Sequence, residues 1–217
     1  KNAARLGVYF RAAGEEIVLV DEGGIPVAAE VYRALATWIA LQVRGSRIVI
    51  PHTAPETLRD MATGEEVVPV KSAPGEVMAL MHELAEGDQR IALQYLLNFD
   101  GIQAAARVVD YLEQQETSLA EIIADLPHLH YKKLAVPCQW QDKGRVLREL
   151  AAQYAPEEMQ LEEGVKVLAD KGWALVLPDS EKPQFNIFAQ GYSEEFAEEL
   201  AVEFTEKVFS LLKDQRG

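Results

Sequence analysis

The side chains best suited to chemistry gather in the second half of the chain. Lys132, Lys133, Lys143, Arg145 and Arg148 form one local basic cluster in a strongly acidic background. Such a cluster suits a phosphate, a nucleotide or an acidic partner surface. Equally, its members can solvate a helix face and pair with Asp142 and Glu149. His128 and His130, with Cys138 downstream, are zinc-compatible ligand types. No fourth ligand is evident and the spacing fits no finger, so strand-edge and surface roles are expected of the histidines. A nucleophilic Cys138 needs a paired base and a positive neighbourhood; between Pro137 and Trp140, packing is the expected role. Glu15 and Glu16 offer carboxylates to a hard cation, or form a solvated turn before a strand. Asp179, Ser180, Glu181 and Lys182 lie in a loop bracketed by Pro178 and Pro183. Neither a Gly-rich nucleotide fingerprint nor a Gly-x-Ser-x-Gly elbow is present.

The elements that must position these residues can be read from periodicity. Residues 17–20 form a β-branched run closed by Asp21-Glu22-Gly23-Gly24, a strand ending at a turn. Val31, Leu35, Trp38, Ile39 and Gln42/Val43 keep helical spacing between Ala29 and Val43. A strand over 47–51, a short helix over 55–61, a strand over 66–70 and a helix from Pro74 to Leu84 follow. Alternation of this length predicts a three-layer α/β domain with a mainly parallel sheet. Two more helices are expected in the middle, one capped by Asp100 with the stripe Ile102, Ala105, Val109 and Leu112, the other starting at Ser118. Beyond residue 130 the pattern is a strand, a helix over about 141–154, strands near 165–168, 173–177 and 185–189, and a last helix capped by Ser193. That order predicts an α+β unit, with the boundary close to residue 130.

The 217 residues are 48% hydrophobic and 26% charged, an ordinary globular composition. Twenty-one basic against 35 acidic residues give a net charge of −14, which repels nucleic acid and anionic membrane surfaces. No apolar run approaches the roughly 20 residues of a membrane span, and no signal-peptide pattern opens the chain. A single cysteine excludes an internal disulfide and suits a reducing cytoplasm. The start at Lys1-Asn2-Ala3 is read as a cut from a longer protein or a processed start.

The segment Gly164-Val165-Lys166-Val167 through Trp173-Ala174-Leu175-Val176-Leu177 to Pro183 resembles the last domain of the α-D-phosphohexomutases, the phosphomannomutases and phosphoglucomutases. There a "DGVKV…GWVLVRPSGTEP" pattern ends in the loop that holds the substrate phosphate. Asp100-Gly101-Ile102 matches the family's opening of a domain-three helix. The resemblance runs over nearly the whole chain. It implies the end of a second mutase domain over 1–24, a third-domain α/β unit over 25–130 and a fourth-domain α+β unit over 131–217. Val136-Pro137-Cys138-Gln139-Trp140 with Lys143-Gly144-Arg145-Val146 is similar to the mutase-like region carried behind some bacterial mannose-1-phosphate guanylyltransferases.

Three functional loops of the family fall on altered residues here. The family's Asp-rich loop gives three carboxylates to Mg²⁺, whereas Arg11, Ala13 and Glu15 take those positions. The sugar-reading segment falls near Leu84 to Gln89, with Glu86 and Gly87 as a loose echo. At the phosphate loop the family's Arg is Leu177, its Ser and Thr are Asp179 and Glu181, and Ser180 and Lys182 fill the rest, so that only the two prolines match. Replacing a bidentate Arg by Leu and adding two carboxylates turns a dianion site into one that repels dianions; Lys182 returns a point charge without the fork. The resemblance implies a catalytically degenerate module with no catalytic residues, metal or cofactor of its own, attached to a nucleotidyltransferase. The alternative is the substrate-binding part of an active mutase with its phosphoserine elsewhere. An intact parent would need Mg²⁺. The partners implied are the remainder of a longer chain and hexose phosphate, in the cytoplasm, with neither nucleic acid nor membrane.

Overall fold

A computed structural model describes residues 4–11 and 14–213, which divide into two units, Lys1–His128 and Leu129–Gly217. In the first, β1 (Gly7–Arg11) and β2 (Glu16–Val20) form an antiparallel hairpin in which Tyr9 faces Val18. Alternation along β2 buries Ile17 and Leu19. The following turn is closed by Asp21, whose carboxylate accepts from the Ile25 amide at 2.8 Å.

Helix α1 (Ala29–Leu41) buries Ala34, Leu35, Ile39 and Ala40. Strands β3 (Arg47–Pro51) and β4 (Glu66–Val70), joined through α2 (Glu56–Met61), pair in parallel with Val49 beside Val68. Ile48, Val49 and Ile50 are all buried, as a strand covered on both faces requires. Among the described residues the parallel sheet of this α/β unit consists of these two strands. Helices α3 (Pro74–Ala85), α4 (Gln89–Phe99), α5 (Gly101–Gln114) and α6 (Leu119–Asp125) complete the unit. Met81 of α3 and Ile91 of α4 join Val49 and Val70 in one core. The last helix begins with a capping box between Ser118 and Glu121.

Two expectations are corrected here. The middle of the chain holds three helices rather than two, the additional one being α4. Its inner face carries Arg90 and Gln94 beside Ile91 and Leu97, which breaks the apolar stripe. The buried stripe of α5 is Gly101, Ala104, Val108 and Leu112, while Ile102 and Val109 are 68% and 45% exposed. The phase is set at the N-terminus, where Asp100 caps the Gln103 amide at 3.0 Å and Gly101 packs against the β2 hairpin. A Cβ at Gly101 would stand 2.9 Å from Ile17 Cγ2, so this approach requires glycine.

The second unit is a five-stranded antiparallel sheet of β5 (Tyr131–Pro137), β6 (Met159–Gln160), β7 (Val165–Ala169), β8 (Gly172–Pro178) and β9 (Gln184–Gly191), in the order β5-β9-β8-β7-β6. A 3-10 turn over Trp140–Asp142 leads into α7 (Lys143–Ala151), and α8 (Glu194–Lys213) closes the chain. Period-two alternation turns Val136, Val165, Val167, Val176, Phe185 and Ile187 toward Val146, Leu150, Leu200, Phe204 and Val208 of the helices. Truncating the fully buried Phe185 to Ala costs about 3–5 kcal/mol in such a core. Ser193 caps α8 by accepting from the Phe196 amide at 3.2 Å.

Candidate functional site

The loop between β8 and β9 is organised by one carboxylate. Asp179 Oδ1 accepts from the backbone amides of Glu181 and Lys182, both at 2.9 Å. Its Oδ2 accepts from Gln184 Nε2 at 3.0 Å and from Asn186 Nδ2 at 3.1 Å. The hairpin register explains the second pair: Leu177 faces Asn186 and Pro178 faces Phe185, which brings Asp179 alongside Gln184. The Asp179 amide donates to Gln184 O at 3.1 Å and the Gln184 amide to Lys182 O at 2.8 Å, closing the loop. Desolvation alone would raise the Asp179 pKa. The donors from Glu181, Asn186, Lys182 and Gln184 together outweigh it, and the carboxyl lies below its ordinary range.

Lys143 supports the loop from the other side. Its Nζ donates to the carbonyls of Asp179 at 2.5 Å and Lys182 at 2.6 Å, and lies 3.6 Å from the centroid of the Trp140 ring. The residue is 7% exposed, and desolvation holds the ammonium below the usual lysine range despite the opposing pull of Asp179. Its charge is therefore directed into the loop backbone and an indole face. Leu177, at the family's Arg position, packs against the cluster of Trp173, Leu175 and Phe188. Ser180, Glu181 and Lys182 are exposed at the tip.

The other basic residues take separate places. Lys132 pairs with Glu198 of α8 at 3.2 Å, and Lys133 Nζ stands 5.2 Å from the Phe188 ring centroid. Arg145 pairs with Glu149 at 2.7 Å, lies 3.9 Å from Asp142 and donates to Leu211 O at 3.0 Å. Arg148 lies exposed on α7. The cluster in sequence is thus not one cationic surface. Cys138 is buried with its thiol on Gln139 O at 3.3 Å, and its amide donates to Pro183 O at 2.9 Å. Burial raises its pKa, and Asp142 adds to the rise against Lys143 and Arg145.

Of the three residues at the family's metal positions, Arg11 lies 3.8 Å from Glu16 on an exposed hairpin, and Ala13 falls outside the described residues. Glu15 is then the one carboxylate of that set, and among the described residues no group of three or more His, Cys, Asp or Glu could hold a metal ion. The residues present do not fit a Mg²⁺ site. At the sugar-reading segment, α3 ends before Glu86, Gly87 turns the chain at φ +101°, and Asp88 caps α4 through the Arg90 and Ile91 amides at 3.1 and 3.3 Å. No described helix is long and apolar enough to cross a membrane.

Sequence reasoning missed the roles of Gln184, Asn186 and Lys143. The signal for the first two was available: they alternate on a strand that must pair antiparallel with the one ending at Pro178. Nothing in the local sequence marks a lysine that reaches across 36 residues to a loop carbonyl.

The fold, an α/β unit followed by an α+β unit, is that of solved phosphohexomutases. A phosphoglucomutase/phosphomannomutase family protein of Burkholderia thailandensis matches at a TM-score of 0.72 over 97% of this chain and 47% of its own, with 17% identity. The Aspergillus fumigatus N-acetylphosphoglucosamine mutase, solved with GlcNAc-6P and magnesium, matches at 0.60 over 97% of this chain and 50% of its own, with 12% identity. In sequence, a probable phosphoglucosamine mutase of Methanopyrus kandleri is 28% identical over 98% of this chain, and a phosphoglucomutase/phosphomannomutase of Thermococcus kodakarensis is 23% identical over 90%. Sequence and fold agree in supporting the α-D-phosphohexomutase superfamily. The chain spans about half the length of these curated relatives, 50% and 45%. No family model matches it.

Proposed function

We propose that the chain belongs to a protein of hexose-phosphate and nucleotide-sugar metabolism, as a phosphohexomutase-like module that no longer captures a substrate phosphate. The observation that carries this is Leu177: it packs into an apolar cluster where the family's loop presents an Arg. Each hydrogen bond to a charged group contributes about 1.5–3 kcal/mol, so a lost bidentate pair removes most of a phosphate loop's hold. Attachment to a mannose-1-phosphate guanylyltransferase-type nucleotidyltransferase, which the module would serve in assembly, regulation or channelling, rests on the motifs over 136–140 and 143–146. The similarity to a probable phosphoglucosamine mutase favours a second reading, the substrate-binding part of an active phosphohexomutase whose phosphoserine lies outside this chain. Calorimetric titration with mannose 1-phosphate, glucose 1-phosphate and a hexose 1,6-bisphosphate, with and without Mg²⁺, separates the two. The first predicts no saturable heat at millimolar ligand. Saturable binding lost in Lys182→Ala supports the second.

A further inference from the structure

Four donors from two parts of the β8–β9 hairpin converge on one side-chain anion. Two backbone amides reach Asp179 Oδ1 at 2.9 Å, and the amide groups of Gln184 and Asn186 reach Oδ2 at 3.0 and 3.1 Å. A turn-stabilising aspartate needs only the first pair, because one oxygen on the following amides closes the turn. The second pair comes from adjacent same-face positions of β9. It completes around both oxygens a shell of N–H groups such as proteins build for oxyanions. The buried Lys143 ammonium adds positive potential by bridging the carbonyls at both ends of the same loop.

We propose that this loop is a self-occupied oxyanion site, in which the Asp179 carboxylate fills the place of an exogenous phosphate or carboxylate. The inference rests on the reading that the native loop does not capture a phosphomonoester, and adds the cause: the loop's donors are present but already taken. The occupant is covalently tethered and positioned by the hairpin, so a free oxyanion must displace all four of its hydrogen bonds to enter. Removing the tethered anion leaves the donors and Lys143 in place, so the vacated site accepts a small free oxyanion.

The test uses the 217-residue chain as Asp179→Ala, titrated with inorganic phosphate and with acetate, against chloride at matched ionic strength, and followed through the backbone amide signals of residues 181 and 182. Expected are saturable shifts of both amides in the variant, with affinity at least about tenfold above wild type, and a rise in thermal midpoint with phosphate or acetate but not chloride. Amides in the variant that respond no more than those of wild type overturn the proposal. Should the variant fail to fold in chloride, refolding is repeated in acetate and in phosphate. Recovery in these alone supports the proposal; failure in all three overturns it. Asp179→Asn, which keeps a tethered side-chain oxygen, is expected to fold without added oxyanion and to gain no phosphate binding. Hexose-phosphate binding by the wild-type chain would instead sink the degenerate-module reading, an outcome separate from the failure of the variant to take phosphate.

Discussion

Two carboxylates, Asp88 in the first unit and Asp179 in the second, each organise a turn, and they differ in what surrounds them. Asp88, at the turn between α3 and α4, is buried and caps α4, and its other oxygen lies 3.5 Å from Arg47 Nε. Arg90 beside it is 4% exposed, donates to Val43 O at 3.1 Å and pairs with Glu65 at 2.6 Å. One turn on, Gln94 takes both the amide and the carbonyl of Val49, so that a side-chain amide covers the open edge of β3. Asp179 is half-buried at the rim of a hairpin, and its donors belong to that hairpin. The first network is committed to the fold; the second organises a loop that could be emptied with the sheet left standing. The same residue type in two turns therefore predicts unequal costs of removal.

The sharpest break in this comparison is Arg90→Ala. It leaves the half-buried Glu65 and the Val43 carbonyl without their buried partner, and each lost hydrogen bond involving a charged group costs about 1.5–3 kcal/mol. The expected result is a large fall in the denaturant midpoint followed by amides of α3 and α4, with amides of the β5–β9 sheet unmoved. An Arg90→Ala protein that melts like wild type would place this network on a par with the surface. Gln94→Leu comes next: Gln94 is 3% exposed, its loss leaves the buried Val49 amide and carbonyl without this partner, and each unsatisfied buried group costs about 1–3 kcal/mol. Hydrogen exchange at Val49 is the direct measure, and an unchanged rate would refute its edge-covering role.

The same contrast explains what was legible in the sequence. Elements with clean apolar runs or stripes, such as β3, β8 and α8, lie where the pattern puts them, because burial of both faces of the strands and one face of the helix decides their conformation. Helix α4 was lost because Arg90 and Gln94 occupy its buried face, and only tertiary partners 25 to 47 residues away make those side chains acceptable there. In α5 Leu112 is buried as expected, but Ile102 and Val109 are apolar yet exposed, and the small residues Gly101 and Ala104 let the helix approach its neighbours instead. At the loop, the identity of Leu177 for Arg was visible in one dimension. The Gln184 and Asn186 donors follow from the alternation of β9, but the Lys143 ammonium beneath the loop carbonyls comes from another element and has no local signal.

Lys143→Met tests the support beneath the loop at a lower cost. Methionine keeps the apolar stem, so the change isolates the ammonium that serves the carbonyls of Asp179 and Lys182. Losing charge-assisted bonds to a loop partly open to water should cost about 1–2 kcal/mol. The expected signature is faster amide exchange over 179–184 with unchanged protection in α4. If exchange in the loop is unaltered, Lys143 merely packs on Trp140, and the loop holds its form by Asp179 alone.

The smallest effect is a pH dependence at Asp179. Asp179 titrates below the ordinary aspartate value of about 3.9 because its four donors favour the charged form over desolvation. A depressed folded-state value means that the stabilisation is fully present above about pH 4 and is lost as pH falls through the folded value. Proton release from the unfolded chain at a higher pH than from the folded chain gives stability that rises with pH across that window. Wild type should therefore lose loop protection at residues 181 and 182 as the solution is acidified below pH 4, ahead of the β8–β9 ladder. Asp179→Asn has no proton to gain there and should give a flat profile over the same range. Equal acid sensitivity in the two proteins would show that the loop's order does not depend on the charge of Asp179.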